Sequence, residues 1–330
     1  MPFFAVVMAT RNRPTLFRQA LESVLEQSCR DMEIIVVNDG TASDLQPEYE
    51  SIIGAVDSNF VRSFVLAHRP QGHGVSFTRN FGAAKATAPY LCFLDDDDTW
   101  TDPNHLARAE VAIAESGGLV DMYMTHQAAF LHDKRQPEPI WIEDLASILS
   151  GLGNRPDQHG IHTVTVAELL RSQGFCHLNT LIVRRALYEE IGGLDERTGW
   201  EEDRDLFLRL IDRAAVMKYA PLTVARHNVP DPTKGANIST ALSDFERRLS
   251  QLRLLDRAIL FSQHAVIRAY GRRHKAYTLK RIAESLAADG RHAEAAFYAR
   301  EALGAGPTAK WAGYTALRLL KQVLAPNPSE

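Results

Sequence analysis

Four consecutive aspartates, Asp95, Asp96, Asp97 and Asp98, follow the apolar run YLCFL. Adjacent carboxylates repel, and a partly buried set stays ionised only beside a cation or takes up protons. An oxygen-only donor set suits Mg2+ or Mn2+, which bind through one or two carboxylates together with substrate phosphates. Read as extended chain, the run turns Asp95 and Asp97 to one side and Asp96 and Asp98 to the other. The plainer alternative is a solvated turn before a helix, with Asp102 as cap and Pro103 in the first helical position. Upstream, Arg79 in GVSFTRNFGAAKA offers a forked donor suited to a diphosphate. On spacing alone it reads equally as a surface residue of an amphipathic helix.

A second acidic cluster lies in GWEEDRDLFLRLIDRAA, residues 199–215, which reads as a helix after a glycine-containing turn. Leu206, Phe207, Leu210 and Ile211 form its apolar stripe, and Asp203 shares their face at helical spacing. Glu202 is expected on the side of Asp205, Arg209 and solvent. A carboxylate on the inward side of a first helical turn can face a cleft, where the helix dipole favours its ionised form. That is a suitable station for a general base. The competing reading is an ordinary acidic helix start, with Asp205 paired to Arg209 at four-residue spacing.

The elements that must position these groups alternate between strand and helix. Phe4–Ala9, Ile34–Val37, Val61–Leu66 and Tyr90–Leu94 read as strands. Pro14 fits a first helical position, with Leu16, Phe17, Ala20, Leu21, Val24 and Leu25 following at helical spacing, and another helix runs from about Val75 to Ala86. Strands separated by helices imply a parallel sheet covered on both faces, with ligands bound beyond the carboxyl ends of its strands. Thr10, Arg11, Asn12 and Arg13 follow the first strand, Asn38 and Asp39 the second, and the aspartate run the fourth. Polar residues from separate strand ends are thereby expected to converge on one site.

Composition narrows the function class. The chain has 330 residues, 45% hydrophobic and 24% charged, as in an ordinary globular protein of two or three folded units. With 37 Lys/Arg against 41 Asp/Glu it is no strongly basic nucleic-acid binder. No run reaches the ~18 apolar residues of a membrane span, and the start lacks the basic leader of a secretory signal. Cys29, Cys92 and Cys176 are scattered and odd in number, which fits a reducing cytoplasm better than a disulfide framework or zinc site. Neither GxGxxG nor GxxxxGK[ST] occurs, so a dinucleotide-dependent dehydrogenase and a P-loop phosphotransferase lose their main support. A sugar-nucleotide nucleotidyltransferase would want a glycine-rich N-terminal loop, and TRNRPTL has no glycine. A donor-binding scaffold without turnover stays open as the non-enzyme alternative.

Five ordered blocks, VVMATRNRP, EIIVVNDGT, TRNFGAAKATAPYLCFLDDDD, VRRALYEEIGGLDE and EEDRDLFLRL, together resemble an inverting glycosyltransferase of family two with the GT-A fold, over about residues 3–240. The resemblance implies a Rossmann-like, mostly parallel α/β sheet with helices on both faces, followed by a C-terminal helical extension. It implies a nucleotide-diphosphate sugar as donor, a UDP-sugar first among them, a hydroxyl of a glycan, lipid-linked or other acceptor, and Mn2+ or Mg2+. The expected role is polysaccharide or glycoconjugate synthesis. By the same resemblance Thr10, Arg11 and Arg13 border the nucleotide, Asp39 contacts its uracil or ribose, and Arg79 approaches the donor. Asp95 and Asp97 match the DxD motif, with Asp96 between them on the donor side and Asp97 the direct metal ligand. Asp203 matches the base and Glu202 its acidic neighbour. His227 matches a later histidine near the metal.

The chain divides by expectation into a nucleotide-sugar half at 1–120, an acceptor and catalytic half at 121–240, and helices at 241–330. Residues 241–330 carry 15 Lys/Arg and 8 Asp/Glu, leaving 22 and 33 to residues 1–240, and the boundary is expected in RHNVPDPTKGANIST, residues 226–240. Trp141, the segment NRPDQHGIHTV, His177 and Asn179 are candidates for an acceptor cleft or, equally, for core and loop. GRHAEAAFYAREALGAGP resembles half of a tetratricopeptide repeat without a second copy. The basic run RAYGRRHKAYTLKR, residues 268–281, suggests either a solvated helix face or a peripheral contact with the inner face of an anionic membrane.

Overall fold

The computed structural model describes residues 1–57, 59–137, 140–229 and 242–324. Two compact units result, Met1–Lys234 and Gly235–Glu330. The expected linker begins inside a strand that ends at Asn228, and its residues 230–240 lie outside the described residues.

The first unit is built on β1 (Phe4–Thr10), β2 (Met32–Asn38), β3 (Val61–Val65) and β4 (Tyr90–Phe93), which pair in parallel in the order β3-β2-β1-β4. Every residue of β2 and β4 is buried, because helices cover both faces of the sheet. Val6 and Met8 of β1, with Ile34 and Val36 of β2, pack in one core with Phe17 and Leu21 of α1 (Pro14–Leu25). Val7 and Val37 face the other way, toward α3 (Val75–Lys85), where Gly82 sits so close that a Cβ would lie 2.5 Å from Val7 Cγ1. Only glycine allows that approach of helix to sheet. α2 (Gln46–Gly54) connects β2 to β3, an edge strand with alternating burial, which is why its sequence signal is the weakest of the four.

Beyond β4 the sheet changes direction. β5 (Thr99–Trp100), α4 (His105–Glu115), β6 (Met122–Leu131) and β7 (Lys134–Arg135) follow, then α5 (Leu145–Gly151), β8 (His162–Val164), α6 (Val166–Leu169), β9 (Leu181–Arg184), α7 (Arg185–Glu190), α8 (Glu202–Ile211) and β10 (Met217–Asn228). β9 inserts antiparallel between β4 and β6, β6 and β10 run parallel, and β5 lies antiparallel on the end of β10. The sheet is therefore mostly parallel, with this antiparallel insertion. α4 starts at His105 rather than Pro103: Asp102 instead accepts the Asn104 N–H at 2.9 Å and the Arg108 Nε at 3.2 Å.

Among its described residues the second unit holds four helices, α9 (Asp244–Phe261), α10 (Ala265–Ala288), α11 (His292–Ala305) and α12 (Ala309–Leu324), each packed on the next. A full capping box at Ser243 and Glu246 starts α9. Alanines at 295, 299 and 302 let α11 close against Leu279, Ile282 and Trp311. No helix among the described residues is long and apolar enough to cross a membrane.

One buried charge holds the parallel half together. Glu33 of β2 accepts the Thr87 N–H at 2.6 Å, the Thr87 hydroxyl at 2.8 Å and the Ala88 N–H at 2.9 Å, and pairs with Arg62 of β3. Burial opposes its ionisation, but these donors outweigh burial and hold its carboxyl below the usual range. Glu33→Gln should lower stability near neutral pH by ~1–3 kcal/mol, measured by urea unfolding. The folded value lies below the unfolded one, so the difference between wild type and variant should shrink as pH falls from about 4.3 through the depressed value.

Candidate active site

The aspartate run is a turn, not extended chain. The Asp98 N–H donates to the Asp95 carbonyl at 3.2 Å, and β5 then pairs with Ala225 and Arg226 of β10. The expected alternation of side chains is replaced as a result. Ligand oxygens of Asp95, Asp97 and Asp98 all lie within 4.8 Å of one another. Asp96, expected on the donor side, turns back into the protein, buried, accepting the Thr10 hydroxyl at 2.6 Å and the Arg13 guanidinium. Arg13 also binds Asp97, at 2.7 Å.

Asp98 is the best-supported member. It accepts the Asn179 side-chain amide at 2.5 Å, His227 Nδ1 at 2.6 Å and the Asn228 N–H at 2.7 Å. Asn179, ahead of β9, also accepts the Asp95 N–H at 3.1 Å. His227, expected as a ligand, is not in the three-carboxylate group: its Nδ1 is committed to Asp98. Burial disfavours a charged imidazole there, but Asp98 prevails and raises His227 to about 9. Asp97 has less support, and burial followed by repulsion from Asp98 pushes it up to about 7.

Arg79 is buried, not a surface residue. One terminal nitrogen binds Asp95 and the other Glu202 Oε1 at 3.0 Å, across 123 residues of chain. Burial opposes ionisation of Asp95, yet Arg79 overcomes it and draws the carboxyl down to about 2. Glu202 therefore does not point to solvent, because the Arg79 fork holds it inward. Asp205 and Arg209 form the expected four-residue pair at 2.8 Å.

Asp203 stands beside Glu202 on the first turn of α8, which follows Glu201 at φ 57°. Its Oδ1 accepts the Arg204 N–H at 2.8 Å, and its Oδ2 lies 3.5 Å from His177 Nε2. The helix dipole does not decide its charge: burial, then the adjacent Glu202, raises Asp203 to about 8. His177 Nδ1 accepts the Asn179 N–H at 3.3 Å, which leaves Nε2 as the protonated nitrogen of the neutral ring, facing Asp203. Burial, then the neighbouring His227, lowers His177 to about 3. Trp141 packs its ring 5.7 Å from that of His177 and 5.1 Å from that of His227. Of the NRPDQHGIHTV segment, His162 lies instead against Tyr219.

A neighbouring set surrounds Asp39, which follows β2. Its carboxylate accepts the His73 N–H at 2.8 Å and contacts His73 Nδ1 at 2.7 Å. Gly72 must be glycine there: its φ is +74° and a Cβ would meet Asp39 Oδ2 at 2.4 Å. Arg11, expected at the nucleotide, turns to the carbonyls of Arg69 and Pro70, at 2.7 and 2.9 Å, and ties down this loop. Thr10 Oγ1 meets the Tyr49 hydroxyl at 2.8 Å. Asp98 was read as part of the run but given no ligand role, and Asn228, His73 and Tyr49 escaped the sequence reading, since only pairing in three dimensions brings them to these partners.

Asn179 thus serves two segments at once. Asn179→Ala should destabilise the protein by ~1–3 kcal/mol, read from denaturant unfolding, because it strands the buried Asp98 carboxylate. An unchanged midpoint would remove that amide from the support of the turn.

Residues 5–192 match the family model described as glycosyl transferase family 2. That match contains β1 through the aspartate turn and His177, and ends before α8 and β10. Among curated proteins, the putative glycosyltransferase EpsH of Bacillus subtilis (strain 168) is 31% identical over 132 residues, 40% of this chain and 36% of that protein. The chain spans 36% and 42% of the length of the first two curated relatives it matches. Among solved structures, residues 1–349 of S. aureus TarS, in complex with UDP-GlcNAc, superpose with a TM-score of 0.63 at 17% identity, over 85% of this chain and 72% of that one. The mannosyltransferase PcManGT from Pyrobaculum calidifontis, in complex with GDP-Man and Mn2+, gives 0.58 at 16% identity, over 96% and 84%.

Proposed function

The chain belongs to glycosyl transferase family 2 and has the GT-A fold, and on that premise we propose that it is a metal-dependent inverting glycosyltransferase. It moves a sugar, of hexosyl type, from a nucleotide-diphosphate donor to an acceptor hydroxyl, in polysaccharide or glycoconjugate synthesis. The observation that carries this reading is the Arg79 fork, which ties the aspartate turn to the start of α8 and so brings Asp95 and Asp203 to one place. TarS with UDP-GlcNAc and PcManGT with GDP-Man and Mn2+ support a nucleotide-sugar donor and a metal. A UDP-sugar is the first choice. In this reading residues 1–120 hold the donor, through Asp39, Thr10 and Arg13, and residues 121–240 hold the acceptor.

The donor set fits Mg2+ or Mn2+. Asp95, Asp97 and Asp98 offer oxygen only, and the raised Asp97 marks a shortage of positive charge within the cluster. When bound, such an ion supplies electrostatic stabilisation of the negative charge that grows on the departing diphosphate. Arg13 is shared between Asp96 and Asp97, and Asn179, His227 and Asn228 hold Asp98 still. Arg79 keeps Asp95 ionised.

Asp203 is the general base. It takes the proton of the acceptor hydroxyl as that oxygen attacks the anomeric carbon opposite the leaving diphosphate. A single displacement inverts the anomeric configuration, so an α-linked donor gives a β-linked product. Proton transfer is concerted with attack, because a carboxylate is a far weaker base than an alkoxide.

Asp97→Ala should abolish metal-dependent donor binding in calorimetry with UDP-sugars and Mn2+; an unaltered isotherm would refute metal binding by the turn. Asp203→Asn should retain donor affinity and lose transfer by about a hundredfold or more. Because the base works deprotonated and its carboxyl titrates at about 8, kcat/KM should rise with pH through that region. Near-normal turnover of the variant would remove Asp203 from the reaction.

A further inference from the structure

The last described helix, α12, is apolar on two opposite sides. Trp311 and Thr315 are buried against the helices before it, with the Trp311 Nε1 donating to the Ala299 carbonyl at 3.0 Å. On the other side Leu317, Leu320, Val323 and Leu324 are 46%, 56%, 81% and 72% exposed. At 100° per residue these side chains share the half of the helix that faces away from Trp311. A helix face that meets only water is ordinarily polar, and this one is not.

Charge on α12 has a single sign. Lys310, Arg318 and Lys321 are its charged residues, and no Asp or Glu occurs between Ala309 and Leu324. Helical geometry places Lys310 and Lys321 along one flank of the exposed leucines. The basic run at 268–281, which the sequence singled out, is a weaker candidate. There Lys275 pairs with Asp256, Arg281 with Glu284, and Arg268 donates to backbone carbonyls. The cations of α12 stand on a helix free of acids, next to bare leucine and valine.

We propose that the outer face of α12 docks on an anionic lipid surface, with Leu320, Val323 and Leu324 entering the acyl boundary and the flanking lysines meeting the headgroups. Apolar insertion supplies the area term, and the lysines supply selectivity for negative lipid. A second copy of the chain would bury the same leucines, but each copy would bring the same unopposed lysines to that contact. Charge favours the lipid.

The test is co-sedimentation of the full chain with vesicles of phosphatidylcholine alone or mixed with phosphatidylglycerol, with light scattering of the free protein alongside. Wild type should pellet with the mixed vesicles only, and more salt should weaken the binding. Lys310→Gln with Lys321→Gln, both on exposed positions, should lower the partition coefficient by about thirtyfold. Leu320→Ser with Val323→Ser and Leu324→Ser should abolish binding while thermal unfolding stays that of wild type; if this variant misfolds, the lysine pair decides. The proposal falls if wild type ignores both vesicles, binds both equally, or forms a dimer that the serine variant dissociates.

Discussion

A buried guanidinium between two carboxylates from distant parts of the chain is the constraint on which the site depends. Arg79, on the helix between the third and fourth strands, reaches Asp95 at the end of β4 and Glu202 at the start of α8. Without that cation, Asp95, Glu202 and Asp203 would be desolvated carboxylates with little to oppose their repulsion. With it, Asp95 stays ionised, while Asp203, one residue from the bridge, is still raised because burial and the adjacent Glu202 outweigh the pull of Arg79. Direct pairing with Arg79 at one aspartate, and burial beside Glu202 at the other, separate the protonation behaviour of the two, the arrangement by which acid–base and ligand duties are divided among like groups.

Around this bridge the aspartate turn is held by unlike supports. Asp96 goes inward to Thr10 and Arg13, Asp98 is held by Asn179, His227 and Asn228, and Asp97 has only Arg13. The least supported carboxylate is the one most raised by its neighbours within the run, consistent with the proposed metal role for Asp97. His177 and Trp141 join the turn to α8 from the other side, through ring contacts with His227 and the approach of Nε2 to Asp203.

Much of the parallel half was legible along the chain. The four strands, the helix starting at Pro14 and the convergence of Thr10, Arg13, Asp39 and Asp95 at strand ends all follow from short apolar runs punctuated by polar turns. The antiparallel part was not, because β9 takes its place between β4 and β6 from far away in sequence, and β5 is two residues long. Errors at the site share one origin. Extended alternation failed for the aspartates because the chain turns at Asp96 and Asp97, and the expected outward Glu202 ignored a partner 123 residues distant.

Residue type and local order alone determined that this chain has a concentration of carboxylates at a strand end, a second acidic pair opening a helix, and a change of charge sign toward its C-terminal helices. Those are properties of composition and near neighbours, and folding cannot alter them. Which carboxylates share a ligand space, which are neutralised and which hold their protons was decided only in three dimensions. Burial and the distance to a guanidinium set those outcomes, and both are made by strands and helices that the chain order keeps apart.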